Sequence, residues 1–345
     1  MDTPRPNPFV LEPRLFEKVW GGRRLATLGK DLPDGVNIGE SWELADLAAT
    51  SASGAGGSAV SSVIARGPLA GSTIQDAVQR WGGDLLGQTP TPDGRFPLLV
   101  KYLDAQQDLS IQVHPSPQYA AAHPEAHEKT ECWYVVQAEP YGRVLKGLAP
   151  GVQPEDIRRA AMEGSDVPSL LHSAPAVVGD LHELPTGTIH ALGAGTLVAE
   201  VQTPSDTTFR VYDWAKELGR QGRELHVDQA ARCILSGPPP ATRRLGPGEE
   251  AARLCSLSAF TIDEARPLGG DEFPLSFDGR CQVLMVLSGV GEVVVEDDDE
   301  ASLPVHAGHT VVVPAAAADR CTFVCDPAAP AGGTTLLRVG VGPRR

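Results

Sequence analysis

The chain is short of several things. Aromatic residues make up 5% of its 345 residues and methionine occurs three times. No uninterrupted apolar stretch approaches the roughly 18 residues of a membrane-spanning helix, so no membrane is expected as a partner. Cysteine is sparse as well. Cys132, Cys233, Cys255, Cys281, Cys321 and Cys325 are scattered without a Cys-x-x-Cys pair, which argues against a thiolate-built structural zinc cage. The opening Met1-Asp2-Thr3-Pro4-Arg5-Pro6 lacks the apolar core of a secretory leader. Reduced thiols and a cytoplasmic location are therefore expected. Positive charge is also in deficit, with 29 Lys and Arg against 44 Asp and Glu and a net charge of −15. That balance opposes nucleic acid or an anionic membrane as partner, but not a small anionic substrate, which local cations decide.

What is plentiful is turn chemistry: 37 glycines and 30 prolines within an ordinary 41% hydrophobic composition. Many short strands joined by turns fit this better than long helices, and the length suffices for two domains. Residues 1–50 carry two tryptophan motifs, Val19-Trp20-Gly21-Gly22 and Gly39-Glu40-Ser41-Trp42-Glu43. A small-residue loop follows over 50–68, its Thr50–Ser58 part the richest. A helix is predicted at about 72–87 with Ser72 as its N-cap, and another at 153–173. Apolar strand-like runs lie at Phe96–Leu103, Leu109–His114 and Glu131–Val136, and strand patterns resume from Ala176 to about Thr208. After the linker Gly237-Pro238-Pro239-Pro240, a second strand-rich region runs from about 253 to 340. This division predicts units of 1–236 and 237–345.

The two strand regions look like copies. Gly179-x5-Pro185 recurs as Gly308-x5-Pro314, and Glu131–Val136 can be laid against Gln282–Leu287. In the second copy Gln282 stands where Glu131 stood, Ala316 for Gly187 and Asp319 for His190. The framework is repeated and the chemistry is not.

That chemistry resembles a metal site. Gln112 and His114, two apart on an extended run, point to one face. Pro185 and Gly187 mark a tight turn that lets His190 emerge toward the same interior, and Glu131 adds a carboxylate. Imidazole with oxygen donors suits a borderline divalent ion such as Zn, Fe, Ni or Co, and this set leaves room for water or substrate. His190 alone reads as well as a satisfied core histidine; its company makes the metal reading. The other histidines lack such a setting, and His306 and His309 are expected at the surface. Lys101, Lys129 and Arg210 fall in strand contexts around these ligands, with Ser110 two before Gln112. Cations converging on a metal pocket in so acidic a chain would suit a phosphorylated substrate.

Phe96–Ala105, Leu109–Pro115, Lys129–Tyr134, Gly187–Ala191, Ser205–Asp213 and Arg223–His226, with the two tryptophan motifs, closely resemble type I mannose-6-phosphate isomerases of the cupin superfamily, in their compact bacterial form. The resemblance spans about residues 12–235. It implies a mainly β fold of two cupin-type jelly-roll barrels, the first catalytic, the second degenerate, with a short helical segment over the first. It places one divalent metal ion, Zn2+ by preference, on Gln112, His114, Glu131 and His190. It gives Arg210 and Lys129 catalytic roles, and Lys101, Ser110, Trp20 and Glu40 contact with a phosphorylated hexose. The reaction implied is aldose–ketose isomerisation of mannose 6-phosphate and fructose 6-phosphate through a cis-enediol, by a monomer or homodimer. Lys129 could handle protons if burial and the adjacent ion lower its pKa. Lys129, a histidine and a metal-held hydroxide all stand as candidates for the base. Another metal-cupin isomerase or oxygenase, and a non-catalytic sugar-binding cupin, are the alternatives.

Overall fold

The computed structural model describes residues 4–342 except 51–56, 92, 124–125, 220, 276–278 and 330–332. Much of the Thr50–Ser58 stretch thus lies outside the described residues. Among the described residues the chain builds four large β layers, two per unit, and a two-stranded ribbon of Asp46–Leu47 and Val60–Ser61. The first unit has a seven-stranded sheet in the order Thr242–Arg243, Leu181–Leu184, Glu131–Ala138, Thr196–Gln202, Leu99–Ala105, Ile38–Leu44, Arg14–Gly22. Facing it is a five-stranded sheet of Leu171–Pro175, Arg143–Leu148, His190–Leu192, Ile111–Val113 and Phe209–Tyr212. The second unit repeats the plan with seven strands against four, the latter being Glu272–Pro274, Cys321–Cys325, Val290–Val295 and Leu303–His306. The facing sheets form jelly-roll sandwiches that are not hydrogen-bonded to each other as one closed barrel.

Alternation along the strands assigns each side chain to a layer. From Leu99–Ala105, Val100 and Tyr102 join the large core between the units, while Lys101 and Leu103 turn into the first sandwich. From Glu131–Ala138, Cys132 and Tyr134 face the seam, and Glu131, Trp133 and Val135 face inward. From Gln282–Ser288, Val283 and Met285 meet the same seam and Leu284 and Val286 fill the second sandwich. The two seven-stranded sheets therefore pack back to back. The interior of the second sandwich is filled with side chains such as Val293, Val305, Val311 and Phe323.

Two strands of the second unit's large sheet come from the start of the chain. Phe9–Leu11 pairs with Thr310–Val313, Phe9 lying opposite Val312, and Ile64–Arg66 adds to its other side. Residues 237–345 thus do not supply that sheet alone. Polar links reinforce the seam: buried Lys30 donates to Glu43 Oε2 and to the Gly308 carbonyl, both at 2.7 Å. Ser41 (2.6 Å) and Thr310 (3.3 Å) also donate to Glu43. Gly308 is required there: its φ is +87° and a Cβ would sit 1.9 Å from the Leu28 carbonyl oxygen.

The repeat is visible in register. Leu181 pairs with Tyr134 and Leu184 with Glu131; at the corresponding positions Thr310 pairs with Met285 and Val313 with Gln282. Helices depart from the sequence expectation. The first is Ile74–Trp81, capped by Thr73 rather than Ser72, because the Thr73 hydroxyl meets Asp76 in a reciprocal capping box. Gly82 then breaks it before a short turn Gly83–Leu86. The segment expected over 153–173 is helical only over Pro154–Glu163, where Gly164 at φ +66° ends it; a 3-10 turn and the strand Leu171–Pro175 follow. Together with Val227–Cys233 it covers the outer face of the five-stranded sheet through Ile157, Ala160, Ala230 and Cys233. His306 is exposed, but His309 is only half so: its ring lies 3.7 Å from that of His306 and its Nδ1 is 3.4 Å from Arg66, because Arg66 reaches across from the added strand.

Candidate active site

One end of the first sandwich holds a cleft lined from both sheets. The turn at Pro185–Thr188 closes by a bond from the Thr188 amide to the Pro185 carbonyl, with Gly187 at φ +84°, and delivers His190 as the first residue of its strand. His190 lies opposite Gln112, and Gln112 opposite Arg210, so three neighbouring short strands each present one residue at the same level. Glu131 approaches from the facing sheet. Its Oε1 is 3.1 Å from His190 Nε2 and its Oε2 3.5 Å from His114 Nε2. Gln112 Nε2 is 3.4 Å from His190 Nε2, and Ser110 Oγ donates to Gln112 Oε1 at 3.2 Å.

The ring tautomers decide what this cluster can hold. His114 Nδ1 lies 2.8 Å from the Thr207 carbonyl and His190 Nδ1 2.8 Å from the Thr188 carbonyl. A carbonyl only accepts, so in each ring Nδ1 carries the proton and Nε2 is directed at Glu131. Burial, then the charge of Lys129, hold His114 at about 4, so near neutral pH its Nε2 carries a lone pair facing a carboxylate. Such an arrangement is repulsive until a cation sits between them. His114, Glu131 and His190 bring donor atoms within 4.8 Å of one another and form a candidate metal site. Gln112 stands beside it with Nε2 toward His190 and Oε1 on the Ser110 hydroxyl.

The wall above the cluster is a chain of alternating charge. Lys129 Nζ is 2.6 Å from Glu131 and 3.8 Å from Glu200. Lys101 Nζ is 3.3 Å from Glu200, 3.8 Å from Glu40 and 4.8 Å from the centre of the Trp42 ring. Lys18 closes the series at 3.3 Å from Glu40. Burial alone would raise Glu40, but Lys101, Lys18 and the Trp42 indole outweigh it and hold it at about 2. Burial would likewise lower Lys129, yet Glu131 and Glu200 push it above its usual value. The two carboxylates beside it thus favour its ammonium form. Trp20, almost fully buried, forms another side of the cleft and its carbonyl takes the amides of Gln106 and Gln107.

All ten residues expected from the sequence converge here. Trp20, Glu40, Lys101, Ser110, Gln112, Lys129 and Arg210 line the cleft, with His114, Glu131 and His190 behind Gln112 and Lys129. Sequence reasoning missed Lys18, Trp42, Glu200, Asp206, Thr208 and Arg223, which line it too. For Glu200 a signal existed: it is the lone carboxylate in Leu197-Val198-Ala199-Glu200-Val201, and its parity with Val198 turns it inward. It accepts from the Trp133 indole at 2.9 Å.

Two stacked jelly rolls, one with a buried His–Glu–His cluster under a charged cleft, define a cupin-type protein with a candidate metal site. Comparison with known proteins narrows the class. Residues 9–138 match the family model of the phosphomannose isomerase type I catalytic domain. A mannose-6-phosphate isomerase of Streptococcus mutans is 34% identical over 84% of this chain and 87% of its own length. Mannose-6-phosphate isomerase ManA of Bacillus subtilis is 35% identical over 66% of this chain and 68% of its own. The crystal structure of the mannose 6-phosphate isomerase from Bacillus subtilis superposes with a TM-score of 0.77 at 27% identity, covering 96% of this chain and 99% of that one. The chain belongs to the type I phosphomannose isomerases, a family of sugar-phosphate aldose–ketose isomerases. Among the described residues no helix is long and apolar enough to cross a membrane.

Proposed function

We propose that this chain interconverts mannose 6-phosphate and fructose 6-phosphate, with Gln112, His114, Glu131 and His190 holding one divalent ion. The observation that carries this reading is the pair of imidazole Nε2 atoms facing Glu131, each ring oriented from behind by a backbone carbonyl. Two imidazoles, a carboxylate and an amide suit Zn2+ among the borderline ions. When bound, the ion supplies Lewis-acid polarisation of the sugar oxygens at C1 and C2.

The chain's own residues do the rest. Lys129, kept charged by Glu131 and Glu200, donates hydrogen bonds to the sugar oxygens and offsets negative charge as the enediol forms. Arg210, on the strand next to Gln112, adds a second positive charge near the same atoms. Glu40, Trp20, Lys101 and Ser110 contact the sugar and its phosphate arm, and Trp20 and Trp42 exclude water from the side of the seven-stranded sheet. The division into a catalytic unit ending near 236 and a supporting unit after it belongs to the same reading. Its test is conversion of mannose 6-phosphate to fructose 6-phosphate by purified protein, as isolated, after chelation, and after metal return. Turnover lost with chelator and restored with Zn2+ is expected; no turnover by metal-replete protein would sink it.

A further inference from the structure

The two carbonyls that orient the imidazoles stand on loops, not on strands. Thr207 lies between Thr196–Gln202 and Phe209–Tyr212, and Thr188 in the turn ahead of His190. A loop carbonyl directs a ring nitrogen only as firmly as the loop itself is held. Both loops are held by hydroxyls that take no part in the chemistry. Ser205, buried, accepts from the Thr207 amide at 3.2 Å and donates to the His127 carbonyl at 3.3 Å. Thr130, next to Glu131, accepts from the Thr186 amide at 3.2 Å, and its hydroxyl meets that of Thr186 at 3.1 Å. We infer that Ser205 and Thr130 are positioning residues for the metal cluster: Ser205 holds His114 through the Thr207 carbonyl, and Thr130 holds His190 through the Thr188 carbonyl.

Further bonds tie both loops to the segment that carries Glu131. The Thr203 amide donates to the Thr130 carbonyl at 3.0 Å, and the Thr130 amide donates to the Thr203 hydroxyl at 3.2 Å. Gln202, opposite Glu131 in the sheet and fully buried, donates through Nε2 to the carbonyls of Thr203 at 2.9 Å and Ser205 at 2.6 Å. Thr130 thus stands at a junction. Its backbone grips the loop of Thr207, its hydroxyl grips the turn of Thr188, and its neighbour is the carboxylate ligand. When a carbonyl drifts from Nδ1, the neutral ring is free to carry its proton on Nε2 instead, where a cation would bind. Each hydroxyl serves one ring, so the two losses are separable.

Because this rests on the reading of the cluster as a metal site, metal-free and Zn2+-loaded protein are both measured. Ser205→Ala and Thr130→Val each remove one hydroxyl; Ser205→Thr and Thr130→Ser return it. Nitrogen-15 spectra of labelled histidine in chelated protein report the tautomer of each ring, and competition with a chromophoric chelator gives the Zn2+ affinity. Ser205→Ala should move part of the His114 signal, and Thr130→Val part of the His190 signal, from the Nδ1–H to the Nε2–H form. Each should weaken Zn2+ binding about 10-fold, the lower end of what losing an outer partner costs a bound metal, with recovery in the conservative variants. A purely structural role would lower the unfolding midpoint of metal-free protein and leave tautomers and Zn2+ affinity of the folded protein as in wild type; that result overturns the inference. If wild-type protein binds Zn2+ and both variants bind it equally well, the positioning roles alone fail. If wild-type protein binds no Zn2+, the metal reading fails and the tautomers decide: a shift in the variants upholds the positioning of the rings, and unshifted signals overturn it.

Discussion

The strand Ile38–Leu44 presents Glu40 and Trp42 to the cleft and Ser41 and Glu43 to the seam. Replacing Glu43 by Gln therefore probes how firmly the second unit backs the cleft wall. At 2.7 Å from Lys30, with an effective dielectric of about 20, the pair's gross attraction is about 6 kcal/mol. The loss is smaller, since the Gln oxygen still accepts and the Gly308 carbonyl still receives Lys30. Breaking a buried pair on one side costs about 3–5 kcal/mol, and the retained contacts put Glu43→Gln near the lower figure. Urea unfolding at pH 7 followed by tryptophan fluorescence measures it. The paired replacement Lys30→Met with Glu43→Leu removes both charges, and should lie within about 2 kcal/mol of wild type, the residue being the unmatched Ser41 and Thr310 hydroxyls. A cost below about 1 kcal/mol for Glu43→Gln, or a double variant no better than the single, would refute the account of the seam.

Arg210→Ala should keep metal content and unfolding midpoint while the rate falls by about two orders of magnitude or more; near-normal turnover would remove Arg210 from the chemistry. Burial and the charge of Lys146 push His182 down to about 3. Because the folded value lies below the unfolded one, its contribution is complete above about pH 6.5 and is lost as pH falls toward 3. Between pH 7.5 and 4.5 that single group accounts for about 2–3 kcal/mol, and His182→Gln should flatten this part of the urea-derived stability profile. Chelation should lower the thermal midpoint, and returning Zn2+ at about 100 times its dissociation constant should restore about 2.7 kcal/mol; an unchanged midpoint would argue that the His–Glu–His cluster is not a metal site.

Three members of the ligand cluster were legible from local signals, Gln112 and His114 two apart on a strand and His190 three past the glycine of a Pro-x-Gly turn, and Glu131 was read from their company. The repeat was legible for the same reason, its landmarks being turns and strand starts. Glu200, whose signal was its parity with Val198, and Arg223, quoted as part of the Arg223–His226 motif, were not placed at the site from the sequence. A charge in a strand reads as solvated until pairing shows which face is buried, and Arg223 reaches the cleft only through a return along Phe209–Tyr212. Val227–Cys233 is too short for its period to stand out. Ser72 and Thr73 are equally good caps in composition; the Ser72 carbonyl is occupied by the Ile64 amide and the Thr73 hydroxyl is left for the helix. Phe9–Leu11 gives no sign that its partner is three hundred residues away.

That distant pairing sets an order of events during synthesis. Phe9–Leu11 and Ile64–Arg66 emerge from the ribosome early and can pair with each other, Val10 against Arg66 and Leu11 against Ile64. The second neighbour of Phe9–Leu11, Thr310–Val313, follows only after about 15–60 s of translation at ordinary rates. Until then the face bearing Phe9 and Ile64 waits uncovered, and the last strands made close a sheet whose far rim was among the first. Cutting the chain back to Glu12 would leave Thr310–Val313 as a bare rim, so damage at the start of the polypeptide would first loosen the half made last.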